Sequence, residues 1–328
     1  MLNQTALSEF ILLGVTDIQG LQHFFFVCFL LLYLTSLLGY GAIVTMVIAE
    51  PRLHTPMYFF LGNLSCLDIV FSTGTVPKML TGLLFGHQPI SFGGCLAQLL
   101  FFHFLGSTEA VLLATMAYDY YVAICSTLHY TLVMRLRTCL LLAAASWSIG
   151  FVHAMIHSVM TSQLTFCGHN HIHHFFCDIK PLLNLACSST SFNMTLLNVL
   201  TTSVVLGPFA LIVLSYLYII CFIFHKVHSQ EGRWKPFSTC ASHLTVVALL
   251  YIPVLFNYTP LLNMACSGTS LNRTLLNVIT TSVVLGPFTL MVLSYLYIIC
   301  FIFHKVRSQT GRWKPFSTCA CHLTVVAL

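Results

Sequence analysis

Two carboxylate side chains, Asp68 and Glu109, lie inside long runs of uncharged, mostly apolar residues. An ionised carboxylate in apolar surroundings is costly unless it is paired, so such a residue predicts a functional site. Asp68 and Glu109 are therefore candidates for holding a cation or a proton.

A second group of reactive side chains is rich in histidine and cysteine. Imidazole and thiolate groups suit zinc or copper. The cysteines are better explained as disulfide partners, and an exposed histidine-rich loop is commonly just solvated, so we predict no metal site and no cofactor. The group comprises His169, His171, His173, His174, Cys167 and Cys177. The sequence contains no nucleophile motif, no phosphate-binding glycine loop and no HExxH pattern, which predicts that the protein is not an enzyme.

A third set has helical spacing. His103, Gly106 and Ser107 fall at positions i, i+3 and i+4, which places them on one face of a helix. Such a face could orient a small ligand with a few polar groups, and ordinary helix packing is the alternative interpretation.

The elements that must position these residues are membrane spans. Charged residues make up only 6% of the 328 residues and hydrophobic residues 58%, whereas soluble domains are roughly one-quarter charged. Seven uncharged or nearly uncharged runs reach the length of about 20 residues that crosses a bilayer. An eighth run, from Phe316 to Leu328, is too short. The seven predicted spans are Phe24–Ala49, Met57–Val76, Leu96–Met116, Cys139–Met160, Leu196–Phe224, Phe237–Phe256 and Leu275–Phe303.

The orientation follows from Lys and Arg, which concentrate in cytoplasmic loops. Alternate connections hold most of the basic residues, so we predict that these connections are cytoplasmic and that the N-terminus is extracellular. The basic residues on the predicted inner side are Arg52, Arg135, Arg137, Lys226, Arg233, Lys235, Lys305, Arg307, Arg312 and Lys314, against Lys78, Lys180 and Arg273 outside. Asn3 begins an N-glycosylation pattern on the outer tail, whereas the same pattern at Asn63 lies inside a span that the enzyme cannot reach.

The chain also contains a tandem repeat. Residues 181–249 reappear as residues 260–328 with ten substitutions. Transporter repeats are usually detectable only as weak symmetry, so this copy indicates a recent duplication or an assembly error.

Four segments together resemble the signature motifs of vertebrate odorant receptors, a branch of the rhodopsin-like G-protein-coupled receptors. They read LHTPMYFFLGNLSCLD from Leu53, MAYDYYVAIC from Met116, HFFCD from His174 and FSTCASHLTVVALLY from Phe237. The resemblance covers residues 1–258. It implies an all-α membrane protein with a seven-helix bundle in the plasma membrane, an odorant as ligand and a stimulatory heterotrimeric G protein as partner.

The resemblance also implies roles for individual residues. The odorant pocket would involve His103, Gly106, Ser107, Leu200, Val204 and Tyr251. Disulfides would join Cys95 to Cys177 and Cys167 to Cys187. Because Cys266 of the repeat duplicates Cys187, we expect it to compete for Cys167. Asp68 and Glu109 would face each other near the midplane, either around a cation such as sodium or with one carboxyl protonated and bonded to the other.

Three departures from the family pattern weaken the signalling prediction. Asp119 is followed by Tyr120 and Tyr121, so the arginine that meets the G protein is missing, and tyrosine offers neither its charge nor its fork of donors. Tyr40 replaces a small asparagine in the first helix, which we expect to disturb packing. The seventh span is a copy of the fifth, and the eighth segment is truncated.

We therefore predict an odorant receptor, with a non-signalling or misfolded relative as the alternative. A transporter or channel would also explain many spans. That class would show inverted symmetry or a polar stripe along several helices, and the sequence has neither.

Overall fold

The computed structural model describes residues 9–12, 19–86, 88–167, 170–172 and 176–226, together with Leu244 and Val247. Helices dominate this part of the chain, because a segment in lipid must satisfy its own backbone N–H and C=O groups. The helices are α1 (Gln19–Ala49), α2 (Pro56–Phe85), α3 (Phe92–Cys125), α4 (Tyr130–Val133), α5 (Leu136–Ser162), α6 (Ile179–Leu185) and α7 (Ser191–Lys226). Short 3-10 turns cover Pro51–Leu53 and Thr127–His129, and the strands are β1 (Glu9–Leu12), β2 (Gln88–Ser91) and β3 (His171–Ile172).

Within the described ranges, five helices are long and apolar enough to cross a membrane, namely α1, α2, α3, α5 and α7. They fall on the first five predicted spans. Large apolar side chains stay exposed on them, for example Leu38 at 74%, as expected where lipid is the solvent. The most apolar stretch of α3 is 61% buried, against 11% for that of α1, so α3 packs mainly against protein.

The helices extend further than the hydropathy pattern predicts. Helix α2 continues beyond Val76 to Phe85 and includes Lys78. The Lys78 ammonium donates a hydrogen bond to the Pro89 carbonyl oxygen at 3.2 Å, which satisfies the charge at the end of the span. The predicted seventh span, the eighth segment and the repeat at residues 260–328 lie outside the described residues, as does the sixth span apart from Leu244 and Val247.

The chain falls into two compact units. The first unit comprises the chain up to Gly41, Gly62–Leu112 and Leu136–Val204, and the second comprises Ala42–Leu61, Leu113–Arg135 and the chain from Val205 onward.

The first unit carries a small sheet with the strand order β2-β1-β3. Strand β1 pairs antiparallel with β2 and parallel with β3. Phe10 of β1 is fully buried, and its ring meets Phe166 edge-on at 5.3 Å and Phe92 at 6.2 Å between centroids. This aromatic cluster ties the segment before α1 to the polypeptide around β3.

Two disulfides hold the connection between α5 and α7. Cys95 at the start of α3 is bonded to Cys177, with 5.4 Å between their Cα atoms, and Cys167 is bonded to Cys187. The backbone N–H of Cys177 also donates to the Gln98 side-chain oxygen at 3.1 Å. The connection is therefore attached to α3 both covalently and by a hydrogen bond. Cys266, the expected competitor, lies outside the described residues.

Helices α3 and α5 approach each other closely at Gly150. A Cβ atom on Gly150 would lie 2.8 Å from the Phe104 carbonyl oxygen and 2.9 Å from the Thr108 nitrogen, and it would collide with the Thr108 hydroxyl. Small residues allow such close backbone contact between membrane helices, where packing rather than the hydrophobic effect drives association. The rings of Trp147 and Phe151 flank Phe104 at 5.5 and 5.8 Å.

Candidate functional site

A buried cluster of polar side chains lies where α3 and α5 meet in the first unit. We call it the histidine cluster and define it as His103, Ser107, His153 and His157. Ser107 Oγ and His153 Nδ1 share a hydrogen bond of 2.8 Å. The ring centroids are 4.6 Å apart for His153 and His157, 5.5 Å for His103 and His157, and 5.8 Å for His103 and His153. The four side chains thus form one connected polar group between two helices that are otherwise mostly apolar.

Helix geometry explains why α5 contributes two histidines. Gly150, His153 and His157 are spaced at i, i+3 and i+7, so they share the face that α5 turns toward α3. The glycine brings the backbones together, and the two imidazoles follow along the same buried stripe. The sequence analysis did not identify His153 and His157. A usable signal was present, because polar residues inside a span are functional candidates by default.

Asp178 stands beside this cluster. It caps the start of α6, where its carboxylate accepts a hydrogen bond from the Ile179 backbone N–H at 2.8 Å. The same oxygen, Oδ1, lies 3.9 Å from His103 Nε2. Burial lowers the pKa of the neighbouring Lys180, and the Asp178 carboxylate opposes that shift. Asp178 is held in place by the Cys95–Cys177 disulfide one residue earlier.

The remaining predicted pocket residues are placed differently. Gly106 is half-buried on α3, and a Cβ atom built on it meets no described atom within 4 Å. Leu200 and Val204 are half-buried on α7, one turn apart. Tyr251 lies outside the described residues. The structure therefore brings His103 and Ser107 into contact with α5, and it places no described atom within 4 Å of a Cβ atom built on Gly106.

The two intramembrane carboxylates are neighbours. Asp68 of α2 and Glu109 of α3 interact electrostatically, and Tyr40 of α1 interacts with both. Asp68 Oδ2 has no hydrogen-bond partner within the described part of the chain. Tyr40 is itself buried, so its phenol occupies a core position beside the two carboxyl groups.

A separate polar group belongs to the second unit, near the end of α3. Asp119 is buried, and its Oδ1 accepts a hydrogen bond from the Tyr130 hydroxyl at 2.9 Å. The Tyr120 hydroxyl points to Met57 Sδ at 3.6 Å, and the Tyr121 ring meets Tyr218 of α7 edge-on at 6.1 Å. Tyr130 was not predicted from the sequence, since no spacing rule links it to Asp119 across the end of α3 and the turn at Thr127–His129.

Metal ligation by the histidine-rich loop has little support among the residues that the structure describes. Cys167 and Cys177 are both in disulfides, and His171 is exposed on β3. The described ranges contain no group of three or more His, Cys, Asp or Glu side chains arranged to hold a metal ion. His169, His173, His174 and the glycosylation candidate Asn3 lie outside them.

The sequence is similar to one protein family along most of its length. The olfactory receptor family profile matches residues 29–259, so the match stops just before the second copy of the repeat. Olfactory receptor 12D1 from Homo sapiens is 56% identical over 284 residues, covering 87% of this chain and 88% of that protein. Olfactory receptor 12D2 from Homo sapiens is 57% identical over 258 residues, with coverage of 79% and 84%. Olfactory receptor 1f45 from Rattus norvegicus is 45% identical over 258 residues, with coverage of 78% and 82%.

Proposed function

We propose that this chain, which belongs to the olfactory receptor family, binds a small odorant among its helices and signals through a stimulatory heterotrimeric G protein. Members of this family are multi-pass plasma-membrane receptors and not enzymes, and the five membrane-spanning helices agree with that class. We further propose that the N-terminus is extracellular and that membrane lipid surrounds the helices.

The observation that supports odorant binding is the buried polar face of α3. His103 and Ser107 are buried on a helix that is otherwise mostly apolar, and a Cβ atom built on Gly106 beside them meets no described atom within 4 Å. Small-molecule sites combine an apolar lining with a few polar groups that fix the orientation of the ligand. In this proposal Leu200, Val204 and Tyr251 supply apolar and aromatic surface, and the histidines supply the polar groups.

The carboxylates Asp68 and Glu109 are proposed to share a cation or a proton. Their electrostatic interaction supports a shared site, as does Asp68 Oδ2, which has no hydrogen-bond partner among the described residues. Sodium would bring the two carboxylates together. A shared proton would instead let one carboxyl group donate to the other.

Coupling to the G protein is proposed to involve Asp119, Tyr120 and Tyr121. A non-signalling relative is the second candidate, and a specific observation favours it. Tyr120 replaces the family's arginine, and its hydroxyl points to Met57. The Asp119 carboxylate instead accepts a hydrogen bond from the Tyr130 hydroxyl. A tyrosine cannot supply the permanent charge that an arginine would present to a partner.

The experiment that tests signalling is a surface-normalised cyclic AMP assay over an odorant panel, with an extracellular tag on every variant. We expect Tyr120→Arg to raise the maximal response several-fold, because it restores the charge beside Asp119. Tyr118→Arg is the matched control, since it adds the same charge two residues away at an exposed side chain. If the chain reaches the surface and neither it nor Tyr120→Arg responds to any odorant, the non-signalling alternative replaces the receptor proposal.

A further inference from the structure

The histidine cluster contains three buried nitrogen atoms to which the described residues offer no hydrogen bond. The Nε2 atoms of His103, His153 and His157 make no hydrogen bond within the part of the chain that the structure describes. These side chains are only 5%, 4% and 3% exposed. A buried polar atom without a partner is destabilising, and native proteins rarely keep one. Three of them in one cluster therefore indicate a group that binds there.

A glycine of α3 lies beside the cluster. Gly106 is one turn from His103 and adjacent to Ser107, and a Cβ atom built on it meets no described atom within 4 Å. A glycine at this position adds no side chain of its own beside the polar groups of the cluster.

The chemistry of the nitrogens narrows the ligand class. A neutral imidazole presents Nε2 either as an N–H donor or as a lone-pair acceptor, depending on its tautomer. A hydroxyl group both donates and accepts, so it can pair with either form. A carbonyl oxygen only accepts and an ammonium only donates. A carboxylate ligand would bring a second negative charge near Asp178, which lies 3.9 Å from His103 Nε2.

A metal ion fits the cluster less well. The described residues include no set of ligating side chains with the arrangement of a metal site, even though the three rings are in contact. The donor atoms are thus better suited to an organic group that can bond to them one or two at a time.

We infer that the histidine cluster is the polar subsite for a neutral, hydroxyl-bearing odorant, an alcohol or a phenol, and that His153 and His157 of α5 determine this specificity. The inference rests on the proposed odorant-binding function and deepens it, because it assigns a ligand class and adds residues from the fourth span.

The test measures binding directly and does not depend on signalling. The full chain is purified in detergent, and its thermal unfolding temperature is measured at increasing concentrations of each ligand. One ligand series comprises octanol, octanal, octanoic acid, octylamine and octane. A second series compares an aromatic alcohol, phenylethanol, with its hydrocarbon analogue, ethylbenzene. We expect an alcohol to stabilise the protein at about tenfold lower concentration than the other members of its series, which corresponds to about one net hydrogen bond.

The variant His157→Phe keeps an aromatic ring against His153 and His103 but removes both nitrogens. It should abolish the alcohol preference and leave any stabilisation by octane unchanged. His157→Gln, which keeps a hydrogen-bonding group, should retain part of the preference, and His129→Phe, at an exposed histidine, should retain all of it. A purely structural role for His157 would change the unfolding temperature without changing the order of the ligands.

The inference is overturned if alcohols show no preference over their analogues, if no probe stabilises the protein, or if the preference survives in His157→Phe. A parallel cyclic AMP assay separates this result from the proposed function. A response to octanal without any alcohol preference supports odorant reception and overturns the inference. Alcohol-selective binding without a cyclic AMP response supports the inference and counts against signalling.

Discussion

The hydrogen bond between Tyr130 and Asp119 gives the buried carboxylate a partner from within the chain. Asp119 is 3% exposed, and its Oδ1 lies 2.9 Å from the Tyr130 hydroxyl. With an arginine absent at position 120, this phenol supplies a neutral donor to the carboxylate. Neutral donors do not compensate a buried charge as fully as a guanidinium would.

We predict that Tyr130→Phe destabilises the protein by about 1–3 kcal/mol, because it leaves a buried carboxylate oxygen short of a donor. Thermal unfolding of the purified chain in detergent measures the effect. Tyr118→Phe is the control, since the Tyr118 side chain is exposed and should tolerate the loss of its hydroxyl. Equal unfolding temperatures for the two variants would contradict the assigned role of Tyr130.

At the scale of elements, the packing of α5 against α3 decides where the histidine cluster forms. Gly150 sets the separation of the two backbones, and His153 and His157 follow it on the same face. The Cys95–Cys177 disulfide then brings Asp178 to the same region. A change in the helix separation should therefore alter both stability and ligand binding.

We predict that Gly150→Ala destabilises the chain by about 1–3 kcal/mol, the usual cost of overpacking. The added methyl group meets backbone atoms of Phe104 and Thr108, so the helices must move apart. Gly74→Ala on α2 is the matched control, because a Cβ atom there meets no described atom within 4 Å. That variant should be neutral or stabilising by up to about 1 kcal/mol. If Gly150→Ala and Gly74→Ala unfolded at the same temperature, the close approach of α3 and α5 at Gly150 would not limit the size of the residue there.

At the scale of the whole molecule, the distribution of Lys and Arg predicts which ends of the spans face the cytoplasm. This rule acts during insertion and depends on the sequence rather than on packing. Two of the N-glycosylation patterns in the sequence provide an internal test, because Asn3 lies on the predicted outer tail and Asn63 lies within α2. Asn63 also accepts a hydrogen bond from the Trp147 indole N–H at 3.4 Å.

We predict that Asn3→Gln removes one glycan from the protein and that Asn63→Gln removes none. The check is the change in electrophoretic mobility after glycosidase treatment of chains expressed in mammalian cells. A tag placed before Asn3 should bind antibody on intact cells. If antibody bound the tag only in permeabilised cells, the N-terminus would be cytoplasmic and the proposed orientation would be wrong.

Properties that belong to single segments were determined by the sequence itself. Charge content, span length and the position of basic residues predicted a multi-span helical membrane protein. The motifs from Leu53, Met116, His174 and Phe237 predicted the olfactory receptor family, which the family profile and the relatives confirm. These properties can be read from the sequence because the length and polarity of each segment decide by themselves whether that segment can cross a bilayer.

Two contacts between segments, the histidine cluster and the pairing of Asp119, were decided only by the tertiary structure. The meeting of His103 with His153 and His157, and of Asp119 with Tyr130, depends on how each helix is rotated about its own axis. In soluble proteins an apolar stripe reports that rotation. In these spans the side that faces lipid and the side that faces protein are both apolar, so hydropathy does not distinguish them. Close packing at residues such as Gly150 sets the rotation instead, and it appears only in three dimensions.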